Sequence, residues 1–196
     1  MDITAVILAG GKGSRMDNHD KGLIKLADKP LIEYVIEAIR QQVDHIIISA
    51  NRNIDEYQKL GLPVICDEKT EFNGPLSGIY EALKICETKY LLVLPCDCPF
   101  VEIDLIKKLY LSAEANNSNV VLAHDGQYIQ PLFALISMNS LASLEQCIAE
   151  NKFKVKQWMT DQNHSIIEDD RPMLFFNINN KHDLESAEKL ILSRKC

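Results

Sequence analysis

The stretch Ala5-Val6-Ile7-Leu8-Ala9-Gly10-Gly11-Lys12-Gly13-Ser14-Arg15-Met16 decides the fold. Ala5 to Leu8 is an apolar run of strand length, and the glycines after it carry the chain out through a turn. Those glycines remove the side chains that would block an approaching phosphate, leaving backbone N–H groups to face an anion. Lys12 and Arg15 add positive charge with no acid between Leu8 and Met16, and Lys21 follows on the same connection. The loop is not a Walker A motif, because no G-x-x-x-x-G-K-[ST] can be laid on it. Nor is it a dinucleotide fingerprint, since Met16 stands where the third glycine belongs. A glycine-rich loop alone is also the mark of a flexible turn with solvated bases, so the rest of the chain has to decide.

Working outward, Leu31, Val35, Ile36 and Ile39 recur at helical spacing, and Ile46 to Ala50 reads as the next strand. Val64 to Asp67, a helix near Leu76 to Cys86 and the apolar strand Tyr90 to Leu94 continue the alternation, which implies a largely parallel, buried sheet. After a helix over about Ile103 to Ala115, the turn signal Asp125-Gly126 lies between Asn119 to Ala123 and Tyr128 to Ser137, so the sheet should be mixed. The amphipathic stretch Leu141 to Ala149, a strand at Leu174 to Ile178 and a closing helix at Leu184 to Leu192 complete one layered α/β unit.

Composition agrees: 196 residues with 46% apolar content suit one globular domain. The apolar runs are far too short to span a bilayer, and Asp2 follows Met1 where a leader would be basic. The expectation is a cytoplasmic protein without membrane association. Six cysteines lie without framework spacing, as reduced thiols do. No second Cys/His pair follows Cys96 and Cys98 at zinc spacing, so these read as packing at a strand end. A net charge of −7 argues against nucleic-acid partners, so an anionic substrate needs a local basic site such as the first loop.

Two carboxylates fall at strand ends. Asp67 follows Pro63-Val64-Ile65-Cys66 and Asp97 follows the run from Leu91 to Cys96, which in a parallel sheet puts both on the edge where open α/β folds bind ligands. Asp97 is the leading Mg²⁺ ligand, because Mg²⁺ takes one or two protein carboxylates plus substrate phosphates. Each aspartate also suits a helix N-cap.

Leu8 to Met16, Asp20-Lys21-Gly22, Lys29-Pro30-Leu31, Ala50-Asn51-Arg52, Gly74-Pro75-Leu76-Ser77-Gly78, Pro95-Cys96-Asp97-Cys98-Pro99 and Asn177-Ile178-Asn179 follow one another in an order and spacing that resembles the molybdenum cofactor guanylyltransferases, within the nucleotidyltransferase superfamily. The resemblance implies a three-layer, Rossmann-like nucleotidyltransferase fold over residues 1–196, with nucleotide bound in the first half and acceptor in the second. It implies GTP contacts at Leu8, Ala9, Gly10, Lys21, Asn51, Asp67 and Asp97, catalytic roles for Arg15, Lys21 and Asp97, Mg²⁺ on Asp97, and Asn179 as either a second metal-site residue or an exposed strand-end amide. Lys154, in the cluster with Lys152 and Lys156, matches a basic position of the family and is the acceptor-side candidate beside the reading of a solvated face. Two departures stand out: Ser49 where the family often has asparagine before Ala-Asn-Arg, and Asn180-Lys181-His182.

The implied reaction is transfer of GMP from GTP to the phosphate of molybdopterin, with transient contact to cofactor-handling proteins. Cytidylyl transfer to the same acceptor and nucleotidyl transfer to a sugar phosphate share these motifs, and a noncatalytic nucleotide-binding module is the alternative of another class. The five histidines show no metal-protease spacing, and Trp158 with Met159 reads as packing.

Overall fold

Short β-branched runs pair into strands in this chain, and segments with apolar residues three and four apart wind over them as helices. The computed structural model describes residues 1–10, 20–67, 74–152 and 154–193. In order, these form β1 (Ile3–Leu8), β2 (Lys25–Leu26), β3 (Lys29–Pro30), α1 (Leu31–Ile39), β4 (His45–Ser49), α2 (Ile54–Gln58), β5 (Val64–Ile65), α3 (Pro75–Ile85), β6 (Tyr90–Pro95), α4 (Ile103–Asn116), β7 (Val120–His124), β8 (Ile129–Ser137), α5 (Leu141–Ala149), α6 (Val155–Thr160), β9 (His164–Glu168) and α7 (Lys181–Ser193).

Among the described residues, seven strands make one sheet in the order β5-β4-β1-β6-β8-β7-β9. All neighbours pair in parallel except β8, which is antiparallel to β6 and β7. The reversal comes from the turn at Asp125-Gly126, where the Asp125 carboxylate accepts from the Gln127 and Tyr128 N–H groups. The expected mostly parallel mixed sheet is what forms.

Alternation along β1 sorts the layers. Ile3, Ala5 and Ile7 pack with residues of α1, α2 and α4, whereas Val6 packs with α3, α5 and α6. A third apolar cluster of Leu26, Leu31, Phe100, Ile178 and Ala187 joins α7 to the small β2–β3 hairpin. The three-layer, Rossmann-like arrangement thus follows from period-2 burial on a sheet covered on both faces. Among the described residues, no helix is long and apolar enough to cross a membrane.

One expected strand does not form, and β2, β3, α2, α6 and β9 are elements the sequence reading does not name. Leu174 and Phe175 do not start a strand: they lie in a 3₁₀ turn over Pro172–Phe175, and the last strand of the sheet is β9. Leu174, Phe175 and Ile178 are buried as plugs between layers, so the run is apolar for packing and not for pairing. β9 is an edge strand with partly exposed residues, and its sequence His-Ser-Ile-Ile-Glu carries little period-2 signal.

The topology also fixes where a ligand belongs. From β1 the chain runs to β4 and β5 on one side, then returns to β6 on the other and continues outward to β9. The carboxyl ends of β1 and β6 therefore flank the switch point, where open α/β sheets have their binding crevice.

Candidate active site

The mouth of the crevice is held by backbone. Ala9 N–H donates to the Ser49 carbonyl (2.8 Å) and Cys96 N–H to the Leu8 carbonyl (3.2 Å), which carries the sheet ladder one residue past each strand. Ala9 is buried and Gly10 exposed, so the chain emerges from the sheet between them. Arg15 and the rest of the glycine-rich loop, residues 11–19, lie outside the described residues.

Lys21, in a 3₁₀ turn over Lys21–Leu23, crosses to the end of β6. Its Nζ donates to Asp97 Oδ2 at 2.9 Å and also to Asn179 Oδ1. Asp97 is only 6% exposed, and a carboxylate that far from water requires such partners. Asn179 arrives beside it because Ile178 N–H donates to the Asp97 carbonyl (3.0 Å). Asp183 then fixes Asn179: its carboxylate accepts from the Asn179 and Asn180 N–H groups, while the Asn180 side chain accepts from Asp183 N–H. This reciprocal cap starts α7 and accounts for Asn180 as a capping residue.

Two oxygens, one of Asp97 and one of Asn179, thus converge on a single cation, accepting from the Lys21 ammonium. That donor set fits Mg²⁺, which prefers oxygen and needs few protein ligands when phosphates and water complete its shell. Among the described residues, no three His, Cys, Asp or Glu side chains gather as a metal site.

Asn51 and Asp67 close the far side of the crevice as a mutual pair. Asn51 Nδ2 donates to Asp67 Oδ2 (2.7 Å) and Asp67 N–H to Asn51 Oδ1 (2.8 Å), tying the loops after β4 and β5 together. A Cβ on Gly10 would sit 3.5 Å from Asn51 Nδ2, so Asn51 borders the β1 loop. α3 begins with Gly74 as N-cap and Pro75 in its first turn, and it runs from this edge back along the sheet. Its N-terminal N–H groups and dipole favour an anion here. The helix can approach β4 closely because Gly78 has no Cβ; one would collide with the Ser49 hydroxyl. Ser49 is buried under that helix, where a small side chain is required.

Cys96 and Cys98 are buried strand-end packing, and burial pushes both thiols well up, so they stay protonated. Lys154 is the N-cap residue of α6 and lines a cavity of about 470 Å³ with Cys147, Lys152 and Trp158, on the α3–α5–α6 side of the sheet. The structure brings Lys21, Asp97 and Asn179 together, and Asn51 with Asp67 beside Gly10; Lys154 belongs to this separate cavity. Trp158 is 4% exposed, with its indole N–H on Ser143 Oγ at 3.2 Å, which makes it a packing residue.

Sequence reading assigned no role to Asp20, Tyr57 or Asp183. Asp183 was legible in principle from the Asn180-x-x-Asp183 capping spacing, whereas Tyr57 carries no local signal.

A basic residue of the first crossover thus meets a β6 carboxylate at the switch point, where an open α/β sheet binds its ligand, and similarity to known proteins places this arrangement in the nucleotidyltransferase class. The family model described as the MobA-like NTP transferase domain matches residues 5–166. A molybdenum cofactor guanylyltransferase of Shewanella halifaxensis is 36% identical over 194 residues, 98% of this chain and 97% of that protein. One from Polynucleobacter asymbioticus is 38% identical over 191 residues, covering 95% and 96%. The crystal structure of molybdopterin-guanine dinucleotide biosynthesis protein A from Archaeoglobus fulgidus superposes with a TM-score of 0.80 at 25% identity, over 97% of this chain and 99% of that one. The chain belongs to the MobA-like NTP transferase family, among the molybdenum cofactor guanylyltransferases.

Proposed function

We propose that the chain transfers GMP from GTP to the phosphate of molybdopterin, releasing pyrophosphate and leaving the guanine dinucleotide form of the cofactor, with Mg²⁺ as its metal and the cytoplasm as its setting. The observation that carries the reading is the convergence of Lys21, Asp97 and Asn179 at the switch point of the sheet. The choice of GTP and molybdopterin is supported by the names of the relatives and by the Pro95-Cys96-Asp97-Cys98-Pro99 segment.

In this reaction a molybdopterin phosphate oxygen forms a bond to the α-phosphorus of GTP. The bond from that phosphorus to the oxygen bridging the β-phosphate breaks, and its electron pair leaves with pyrophosphate. A phosphomonoester has a second pKa near ~6 and is largely dianionic at neutral pH, so no protein base has to deprotonate it. The residues have to align the two phosphates and stabilise charge on the leaving group. The turn at Leu8, Ala9 and Gly10 would hold the triphosphate through the backbone N–H groups beyond Ala9, whose own N–H is bonded to Ser49; Arg15 and Lys21 would neutralise it, and Asn51 with Asp67 would contact the nucleoside end. Asp97 would hold Mg²⁺, with Asn179 as a second oxygen ligand, and the ion would supply charge neutralisation and phosphate alignment. Lys154 is assigned to the acceptor side.

The test is pyrophosphate release from GTP, CTP and ATP, each with and without molybdopterin, followed by identification of the nucleotide on the pterin. Acceptor-dependent release with GTP and its loss in EDTA are expected. Preference for CTP would keep the chemistry and change the substrate; nucleotide binding without release in any combination would leave a binding module.

A further inference from the structure

Lys21 has to span from the first crossover to the end of β6, and the segment that sets its origin is built from outside that crossover. Asp20, immediately before it, is buried, and both of its carboxylate oxygens are occupied by groups from the segment after β4. Tyr57 donates its hydroxyl to Oδ1, and Asn53 Nδ2 donates to Oδ2 at 3.3 Å. Tyr57 is 0% exposed, fixed on α2 with its N–H on the Asn53 carbonyl. On the other side of Lys21, Gly22 is wedged between two elements: a Cβ there would lie 2.6 Å from the Tyr57 hydroxyl oxygen and 3.4 Å from Cys96 Cβ. Tyr57, Gly22 and Cys96 therefore stack in one column, and Cys96 is bonded to Asp97.

We infer that Tyr57 and Asp20 are positioning residues for Lys21: the buried Tyr57–Asp20 hydrogen bond sets the distance from the Lys21 backbone to Asp97, and so places the ammonium where the triphosphate is neutralised. Burial pushes the Tyr57 phenol well above its ordinary range, so the group remains an O–H donor at any working pH. The Tyr57 hydroxyl is bonded to Asp20, so it acts on Lys21 through the chain it braces. The same brace couples the β4–β5 side of the crevice, which carries Asn51 and Asp67, to the β1–β6 side.

The kinetic part of this inference rests on the proposed transfer reaction, so the first readout is independent of it. Lys21 makes two side-chain hydrogen bonds, and its NH₃⁺ should give a protected resonance in lysine side-chain NMR, assigned by its disappearance in Lys21→Met. In Tyr57→Phe that signal should broaden or vanish while the circular dichroism spectrum stays native. Tyr34→Phe is the control, because it removes a partly buried hydroxyl elsewhere, bonded to the Leu26 carbonyl, and should leave the Lys21 signal intact. In the transfer assay, Tyr57→Phe should lower kcat about tenfold with KM for GTP within about twofold. Added to Lys21→Met, it should cost nothing further. If Tyr57→Phe does not fold, Asp20→Asn is read in the same way. An unchanged Lys21 resonance in the folded variant, its loss in the Tyr34→Phe control, or kinetic losses that simply add would each overturn the assignment.

Discussion

Asp97 owes its position to β6 and its state to neighbours, and these can be separated by mutation. In Asp97→Ala the backbone carbonyl that holds Ile178 remains, so the fold should persist while Lys21 loses one of its two acceptors and keeps Asn179. Turnover should drop by at least about 10²-fold, in line with removal of one electrostatic contact to a reacting group. Full activity of that variant at saturating Mg²⁺ would remove Asp97 from the metal assignment. Cys66 supplies a second check because it is an exposed thiol next to Asp67. Alkylation should modify it in the native protein, and GTP should slow that reaction if Asp67 borders the bound nucleoside; equal rates with and without GTP would place the nucleoside elsewhere. At this scale the sequence was informative for strand-end residues, since Leu8, Asp67 and Asp97 sit where apolar runs stop. It was silent on Tyr57, whose partner Asp20 lies 37 positions away.

At the scale of elements, the last crossover shows how a segment without regular structure is held. Asp169, buried just after β9, accepts from Lys108 of α4 and from the Arg171 guanidinium, each at 2.8 Å. The Arg171 guanidinium, against the cost of burial and with Lys108 beside it, holds the Asp169 carboxyl well below the usual carboxylate range. Its folded value is depressed, so its stabilisation is complete above the unfolded value of ~3.9 and is lost as pH falls below that toward the folded value. Asp169→Asn should therefore be less stable at neutral pH by about 2 kcal/mol and should lose less on acidification below about pH 4. Thermal melts over a pH series test this, and parallel curves for the two proteins would contradict it. The latch also explains why Leu174 to Ile178 is misread as a strand from sequence. Asp169 and Pro172 turn the chain off the sheet, and its apolar residues fill the gap between α7 and the layers. α6 escapes a periodicity search for a simpler reason: at six residues it is too short to show a repeat.

Across the whole molecule, the single tryptophan and the buried thiols report on opposite faces of one sheet. Trp158 belongs to the α3–α5–α6 side, while Cys96 and Cys98 belong to the α1–α2–α4 side. If residues 1–196 are one cooperative domain, tryptophan fluorescence and accessibility of these thiols should change at the same urea concentration. Two separated midpoints would divide the chain into units. The alternation of strands and helices made the sheet legible in advance because the central strands β1 and β6 are buried and read as apolar runs; the partly exposed edge strand β9 is where legibility fails. The reversal at β8 has a practical side for protein engineering. It delivers the Asp125–Tyr128 hairpin tip to the same rim as Asp97, at the end of two strands whose pairing does not involve β1. Loop libraries grafted at that tip would reshape the rim beside Asp97 while leaving β1, β4 and β5 with their connections untouched, which makes the hairpin the natural place to begin remodelling the crevice.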